Sequence, residues 1–143
     1  MKIGELAQVA QCTVETIRYY EKEGLMAAPS RTSGNFRTYG SEHVERLRFI
    51  RNCRALDMSQ NEIRTLLNLA DGAEQGCGAV NDVFDQHIAH VDERIRELTH
   101  LKLELASLRQ RCQSEQAVQS CGILQGLAAM ETEQKPERHT HLG

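Results

Sequence analysis

The sequence predicts a mainly α protein with an N-terminal winged helix-turn-helix domain, a long helix that pairs with a second copy, and a cysteine-bracketed C-terminal loop. Three observations carry this. Apolar residues recur at helical spacing through most of the chain, broken by one turn-rich stretch between Ala27 and Gly40. Of six aromatic residues, Tyr19, Tyr20, Phe36, Tyr39 and Phe49 lie early and only Phe84 lies beyond. The back half therefore lacks the large side chains of a compact core, and buries its aliphatic residues most simply against another chain. Charge divides the same way. Residues 1–56 hold nine Lys/Arg and six Asp/Glu, whereas residues 57–143 hold eight and fourteen. A basic block on an acidic chain marks a localised polyanion-binding surface.

Ile3, Leu6, Ala7 and Ala10 form one face of a first helix. Gln11 and Cys12 make a tight turn, and Thr13 caps a second helix that ends near Lys22 and Gly24, with Glu15 favourable to its dipole. Two short helices joined this closely are a helix-turn-helix. Pro29, Ser33, Gly34 and Asn35 are turn residues, and Asn35–Tyr39 suits a short strand, so this stretch reads as a hairpin or wing. Ser41 is expected to cap a third helix through Leu56. Ser59 with Glu62 is a capping box ahead of Ile63, Leu66, Leu67 and Ala70, and Gly72 ends that fourth helix.

Residues 71–79 form a joint. A helix from about Val80 to Cys112 follows, roughly 50 Å long at 1.5 Å per residue. Its seam, Phe84, Ile88, Val91, Ile95, Leu98, Leu101, Leu105 and Leu108, alternates spacings of three and four and calls for a partner helix. A polar loop, Gln113–Ser120, leads to Cys121 and a short apolar segment with Ile123, Leu124, Leu127 and Met130. The expected organisation is a DNA-binding domain over 1–72, a joint and dimerisation helix over 73–112, and a loop, short helix and tail over 113–143.

Two constellations carry chemistry. Arg18 and Tyr19 are adjacent in the second helix, and Arg31, Arg37 and Tyr39 belong to the wing. Arginine's donor fork matches phosphate and guanine acceptors, and tyrosine hydroxyls donate to phosphate. With Thr13, Thr16 and Asn35 these make up the expected DNA-contact set. Tyr20, Phe36 and Phe49 are expected in the core. Arg46, Arg48, Arg51 and Arg54 divide between phosphate contacts and internal ion pairs.

The second constellation is thiol geometry. Cys112 and Cys121 bracket the loop at the end of the long helix, and Cys77 sits at its beginning. Cys77 and Cys112 are too far apart to share an ion within one chain. In an antiparallel helix pair, Cys77 of one chain meets Cys112 and Cys121 of the other. Three unrelated free thiols are the alternative. Cys12 and Cys53 read as structural, His87, His90 and His100 as solvated or interfacial, and His139 and His141 as a weak tail pair.

No nucleophile elbow, phosphate-cradling glycine loop or H-E-x-x-H pattern is present, so the chain does not read as an enzyme. With no run of about 18 apolar residues and no signal-peptide core, a cytoplasmic protein without a membrane partner is expected. Metal sequestration and thiol redox switching are the rival functions.

IGELA at Ile3–Ala7, TVETIRYYEKEGL at Thr13–Leu25, RTSGNFRTYG at Arg31–Gly40 and FIRNCRALDMSQNEIRTLL resemble the MerR family of transcriptional activators. The resemblance runs to about Met130. It implies a winged helix-turn-helix followed by an antiparallel coiled coil in a homodimer bound to double-stranded promoter DNA with RNA polymerase. Cys77, Cys112 and Cys121 match the three thiol positions of the branch that responds to divalent soft metals. Gln113 follows Cys112, where zinc sensors of the family carry an adjacent cysteine, and copper-type sensors have serine at the position of Cys77. NFRTYG, RNCRALDMS and CGILQGL look most like the lead- and cadmium-responsive regulators. The resemblance thus implies Pb(II) as inducer, with Cd(II) and Hg(II) as alternatives. It also implies a dimer that bends and untwists a promoter with an overlong spacer once metal binds, with the joint coupling loop to DNA-binding domain.

Overall fold

A computed structural model describes residues 1–27, 29–34, 36–72 and 76–131. It contains α1 (Ile3–Val9), α2 (Val14–Lys22), β1 (Ser30–Arg31), β2 (Arg37–Thr38), α3 (Ser41–Ala55), α4 (Gln60–Asp71), α5 (Gly78–Arg109) and α6 (Gly122–Ala129), with a 3-10 turn at Val118–Ser120. Two compact units result, Met1–Val83 and Phe84–Gly143, and α5 contributes its first residues to the former and the rest to the latter.

The first unit is held by one core. α1 packs on α2 and α3. Leu6, Ile17, Leu25, Ile50, Met58 and Ile63 are completely buried, joined by Leu47, Leu66 and Leu67. The turn between α1 and α2 places Gln11 in the left-handed region (φ 56°). Thr13 caps α2 by accepting from the Thr16 N–H at 3.1 Å. Gly24 closes its far end at φ 75°, a conformation that costs glycine little. The expected capping box opens α4: Ser59 Oγ accepts from the Glu62 N–H at 3.1 Å, and Glu62 Oε1 accepts from the Ser59 N–H at 2.8 Å.

β1 and β2 pair antiparallel, Ser30 opposite Thr38 and Arg31 opposite Arg37. The expected strand Asn35–Tyr39 thus shortens to Arg37–Thr38. A two-residue ladder cannot fold its tip onto the helices, so Phe36 is 73% exposed rather than core. Tyr39, expected on the wing surface, is instead 3% exposed, and its ring packs edge-on against His43. Phe49 also departs from expectation at 37% exposed. His43, Leu47, Ile50 and Cys53 form the buried face of α3, and Phe49 lies two residues, about 200° at 3.6 residues per turn, from Leu47. Gly40, not Ser41, is the N-cap of α3, and its N–H donates to His43 Nδ1 at 3.0 Å. Ala70 of α4 is exposed.

In the second unit α5 begins two residues before its expected start and stops three before its expected end. Arg109 terminates it by donating from Nη1 to the Cys112 carbonyl at 2.7 Å, while the Arg111 and Cys112 N–H groups bond back three residues. Phe84, Ile88, Val91, Ile95, Leu98, Leu101 and Leu105 are 37–59% exposed. The whole seam is displayed on one face of the rod, with only Leu108 half-buried. His87 is buried rather than solvated, and His100 pairs with Glu104 at 3.2 Å. Among the described residues no helix is long and apolar enough to cross a membrane.

Candidate nucleic-acid interface and thiol site

α2 and the wing present one polar surface. Arg18, Lys22 and Arg37 line an open depression with Ile3 and Glu21. Arg37 Nη1 lies 3.3 Å from Glu21 Oε2, which aims the guanidinium across the gap between wing and helix. Arg18 is exposed, and Tyr19 is half exposed with its hydroxyl donating to Gln60 Oε1 at 2.9 Å. The Thr13 and Thr16 hydroxyls are 2.8 Å apart at the start of α2. Arg31 is exposed on β1, directly across from Arg37. Asn35 lies outside the described residues, as do His139 and His141.

Tyr39 does not join this surface. Its hydroxyl donates to Glu21 Oε1 at 2.6 Å, so the donor expected for phosphate is already committed. Burial, followed by that bond and the Glu21 charge, raises its pKa and keeps the donor proton in place. Tyr39 thus holds Glu21, and Glu21 holds Arg37: a positioning chain where the sequence suggested a contact. Sequence reasoning missed Lys22, which lies one turn from Arg18 on the same face of α2 and is joined there by Arg37 of the wing, and Phe36, which shares a surface with Lys2, Thr32 and Thr38.

The arginines of α3 are now sorted in part. Arg46 donates from Nε to the Leu25 carbonyl at 2.9 Å and from Nη1 to both Asp71 oxygens. Arg51 donates to Gln11 Oε1 at 2.5 Å across the α1–α2 turn. Both tie helices together. Cys53 is buried, and burial pushes its thiol pKa up. Burial does the same to Cys12, opposed by the Arg51 charge. Both fit the structural role expected of them.

The other thiols are built differently. Cys121 is the N-cap of α6, and its side chain makes no cap hydrogen bond. The backbone N–H groups of Leu124 and Ile123 hold its thiol pKa below the ordinary value against slight desolvation, and the neighbouring Cys112 side chain acts in the same sense. The backbone of Gly122 lies against that of Arg111, so the segments that carry the two thiols come together across an eight-residue loop. Cys112 Sγ is also 3.6 Å from the Ser114 carbonyl. Gln113 Nε2 donates to the Gln110 carbonyl at 2.6 Å and Gln125 Nε2 to the Gln119 carbonyl at 3.3 Å, bracing the loop at both ends. Two adjacent sulfurs, one favoured as thiolate, suit a soft metal ion. Cys77 is exposed in the turn before α5, where its carbonyl accepts the Asn81 N–H at 2.9 Å.

The first unit is thus a winged helix-turn-helix with arginines and lysine gathered on the second helix and wing. The family model "MerR HTH family regulatory protein" matches residues 1–70, and "MerR, DNA binding" matches residues 44–108. A ZntR homolog described as an HTH-type transcriptional regulator of Haemophilus influenzae is 55% identical over 111 residues, covering 78% of this chain and 82% of its own. The crystal structure of the transcription regulator PbrR691 from Ralstonia metallidurans CH34 in complex with lead(II) superposes with a TM-score of 0.81 at 52% identity, covering 89% of this chain and 98% of that one. The regulator MerR of Bacillus megaterium MB1 in complex with mercury(II) gives a TM-score of 0.73 at 31% identity, covering 90% and 99%. The chain belongs to the MerR family of transcriptional regulators, which are DNA-binding proteins and not enzymes.

Proposed function

We propose that this regulator binds promoter DNA as a homodimer and activates heavy-metal resistance genes when lead(II) occupies a thiolate site. The approach of the segments that carry Cys112 and Cys121, with Gly122 against Arg111, carries the reading. Two cysteines nine positions apart are held together by a dedicated turn and helix, at the far end of a rod whose apolar seam is open for a second copy. The 32-residue α5 is about 48 Å long at 1.5 Å per residue, so Cys77 at its start serves the partner's pair when two rods run antiparallel. Cys77, Cys112 and Cys121 then supply three sulfurs. Structural zinc sites usually take four donors in a tetrahedron, whereas a large ion with a lone pair accepts three on one side, and thiolate is the softest donor available. Cadmium(II) and mercury(II) are the alternatives, and mercury is the ion bound by the Bacillus megaterium relative.

Thr13, Thr16, Arg18, Tyr19, Arg31 and Arg37 are assigned to DNA; unlike Tyr39, Tyr19 is half exposed, so its hydroxyl can exchange Gln60 for a phosphate oxygen. Arg18 is placed to read bases, and the wing arginines to hold phosphate. Bound metal favours the dimer conformation that distorts an overlong promoter spacer, which realigns the elements for RNA polymerase.

The test is transcription from a long-spacer promoter, with sulfur-to-metal charge transfer followed on the same protein. Lead should displace an equal amount of zinc and activate, and Cys121→Ser should abolish both effects. Arg18→Ala should cost about 1–3 kcal/mol of operator affinity at matched salt without changing the metal band. Retention of zinc under lead competition rejects lead as inducer. Activation by oxidant in a chelated sample favours a thiol redox regulator instead.

A further inference from the structure

The segments that carry Cys112 and Cys121 meet at a glycine. Gly122 follows Cys121 as the first residue of α6, and Arg111 precedes Cys112 at the end of α5. A Cβ built on Gly122 would overlap the Arg111 carbonyl oxygen, and would lie 3.0 Å from Arg111 Cβ and 3.1 Å from its carbonyl carbon. The closest approach of the two segments is therefore backbone on backbone, one residue from each sulfur. Gly126, one turn later, makes a contact of a different kind. A Cβ there would meet Arg111 Nη1 at 2.8 Å and Leu108 Cδ2 at 3.1 Å, both tips of side chains that can move aside. Gly122 has no left-handed φ, so its requirement for glycine is one of space rather than conformation.

We propose that Gly122 is a positioning residue for the metal site. Its missing Cβ lets α6 seat on the Arg111 carbonyl, and that seating sets the Cys112–Cys121 separation and hence the ions the pair can grip. This rests on the reading of these cysteines as metal ligands, but the spacing itself is measurable without metal. Gly122→Ala lifts the first turn of α6 and parts the sulfurs. Gly126→Ala is absorbed by rotation of Arg111 and leaves them in place. Arg111→Gly removes the Arg111 Cβ but keeps the carbonyl oxygen, the nearer clash, so it should not rescue Gly122→Ala.

The experiment uses the full-length metal-free dimer and a short bifunctional thiol cross-linker, with Cys112–Cys121 linkage assigned by peptide mapping. Gly122→Ala should slow that linkage and weaken lead binding by roughly 10–100-fold, the loss usual when an outer contact that orients a ligand is removed. Gly126→Ala should link and bind as the parent does. Unchanged helix content of Gly122→Ala by circular dichroism should separate a parted thiol pair from an unfolded α6. Linkage of Gly122→Ala at the parental rate, or slowed linkage accompanied by loss of helix content, overturns the proposal. Rapid linkage in a parent protein that binds no lead would reject the metal reading and leave the positioning role intact.

Discussion

The two compact units treat their apolar residues in opposite ways. In Met1–Val83, thirteen hydrophobic side chains from α1 to α4 and the wing base converge on one core. In Phe84–Gly143 the seam of α5 and the residues Leu124, Leu127 and Met130 around α6 stand exposed on a single chain. The first unit satisfies its hydrophobic surface locally. The second presents a continuous apolar face, and such a face on a long rod is stable in water when another helix covers it. One chain thus combines a finished domain with an uncovered apolar face.

The largest expected effect breaks the second unit alone. Leu98→Asp with Leu101→Asp places carboxylates in the seam, where burying an ion costs several kcal/mol, so the dimer dissociation constant should rise more than about a hundredfold. Sedimentation should show single chains while the Met1–Val83 core keeps its cooperative unfolding. A variant that remains dimeric rejects the seam as the interface.

Ile17→Ala is the converse. Ile17 is completely buried, so its truncation should cost about 2–5 kcal/mol, independent of protein concentration. Ile88→Ala on the seam should instead destabilise in proportion to dimer dissociation. Denaturant titrations at two protein concentrations separate the cases, and equal concentration dependence would erase the distinction between the units.

The gentlest probe alters rates and leaves the fold unchanged. Burial raises the Cys12 and Cys53 pKa values, and the α6 N–H groups lower that of Cys121. Thiolate therefore appears at Cys121 before Cys12 and Cys53 as pH rises. Site-resolved alkylation of the metal-free dimer between about pH 6 and 9, around the ordinary thiol range, should label in that order. Metal affinity should fall as pH drops through the Cys121 pKa, because binding must then displace a proton. Labelling of Cys53 ahead of Cys121 would contradict the thiol geometry.

Local features were legible without coordinates because their physics is local. Thr13 caps α2 and Ser59–Glu62 brackets α4 because a side chain three residues from a free N–H reaches it in any helix. The seam followed from a spacing of three and four, and the Cys112–Cys121 bracket from the end of that spacing. The polar contacts were harder. Four arginines on α3 look alike in sequence, yet Arg46 and Arg51 are drawn to Asp71 and Gln11, residues 25 and 40 positions away.

The wing shows the same division within a few residues. Its turn chemistry predicts a hairpin, but an aromatic residue beside a turn can face either way. Only the docking of the wing base, where the Tyr39 and Met1 backbones exchange hydrogen bonds at 2.7 and 2.8 Å, turns Tyr39 inward and leaves Phe36 outside. The sequence by itself determined the helices, their caps, the two-unit distribution of apolar residues and the positions of the thiols, because each depends on spacing within a few turns of chain. The tertiary structure decided which charged groups are tied down, which aromatic side is buried, and that Gly122 must be small, because each depends on atoms brought together from distant parts of the chain.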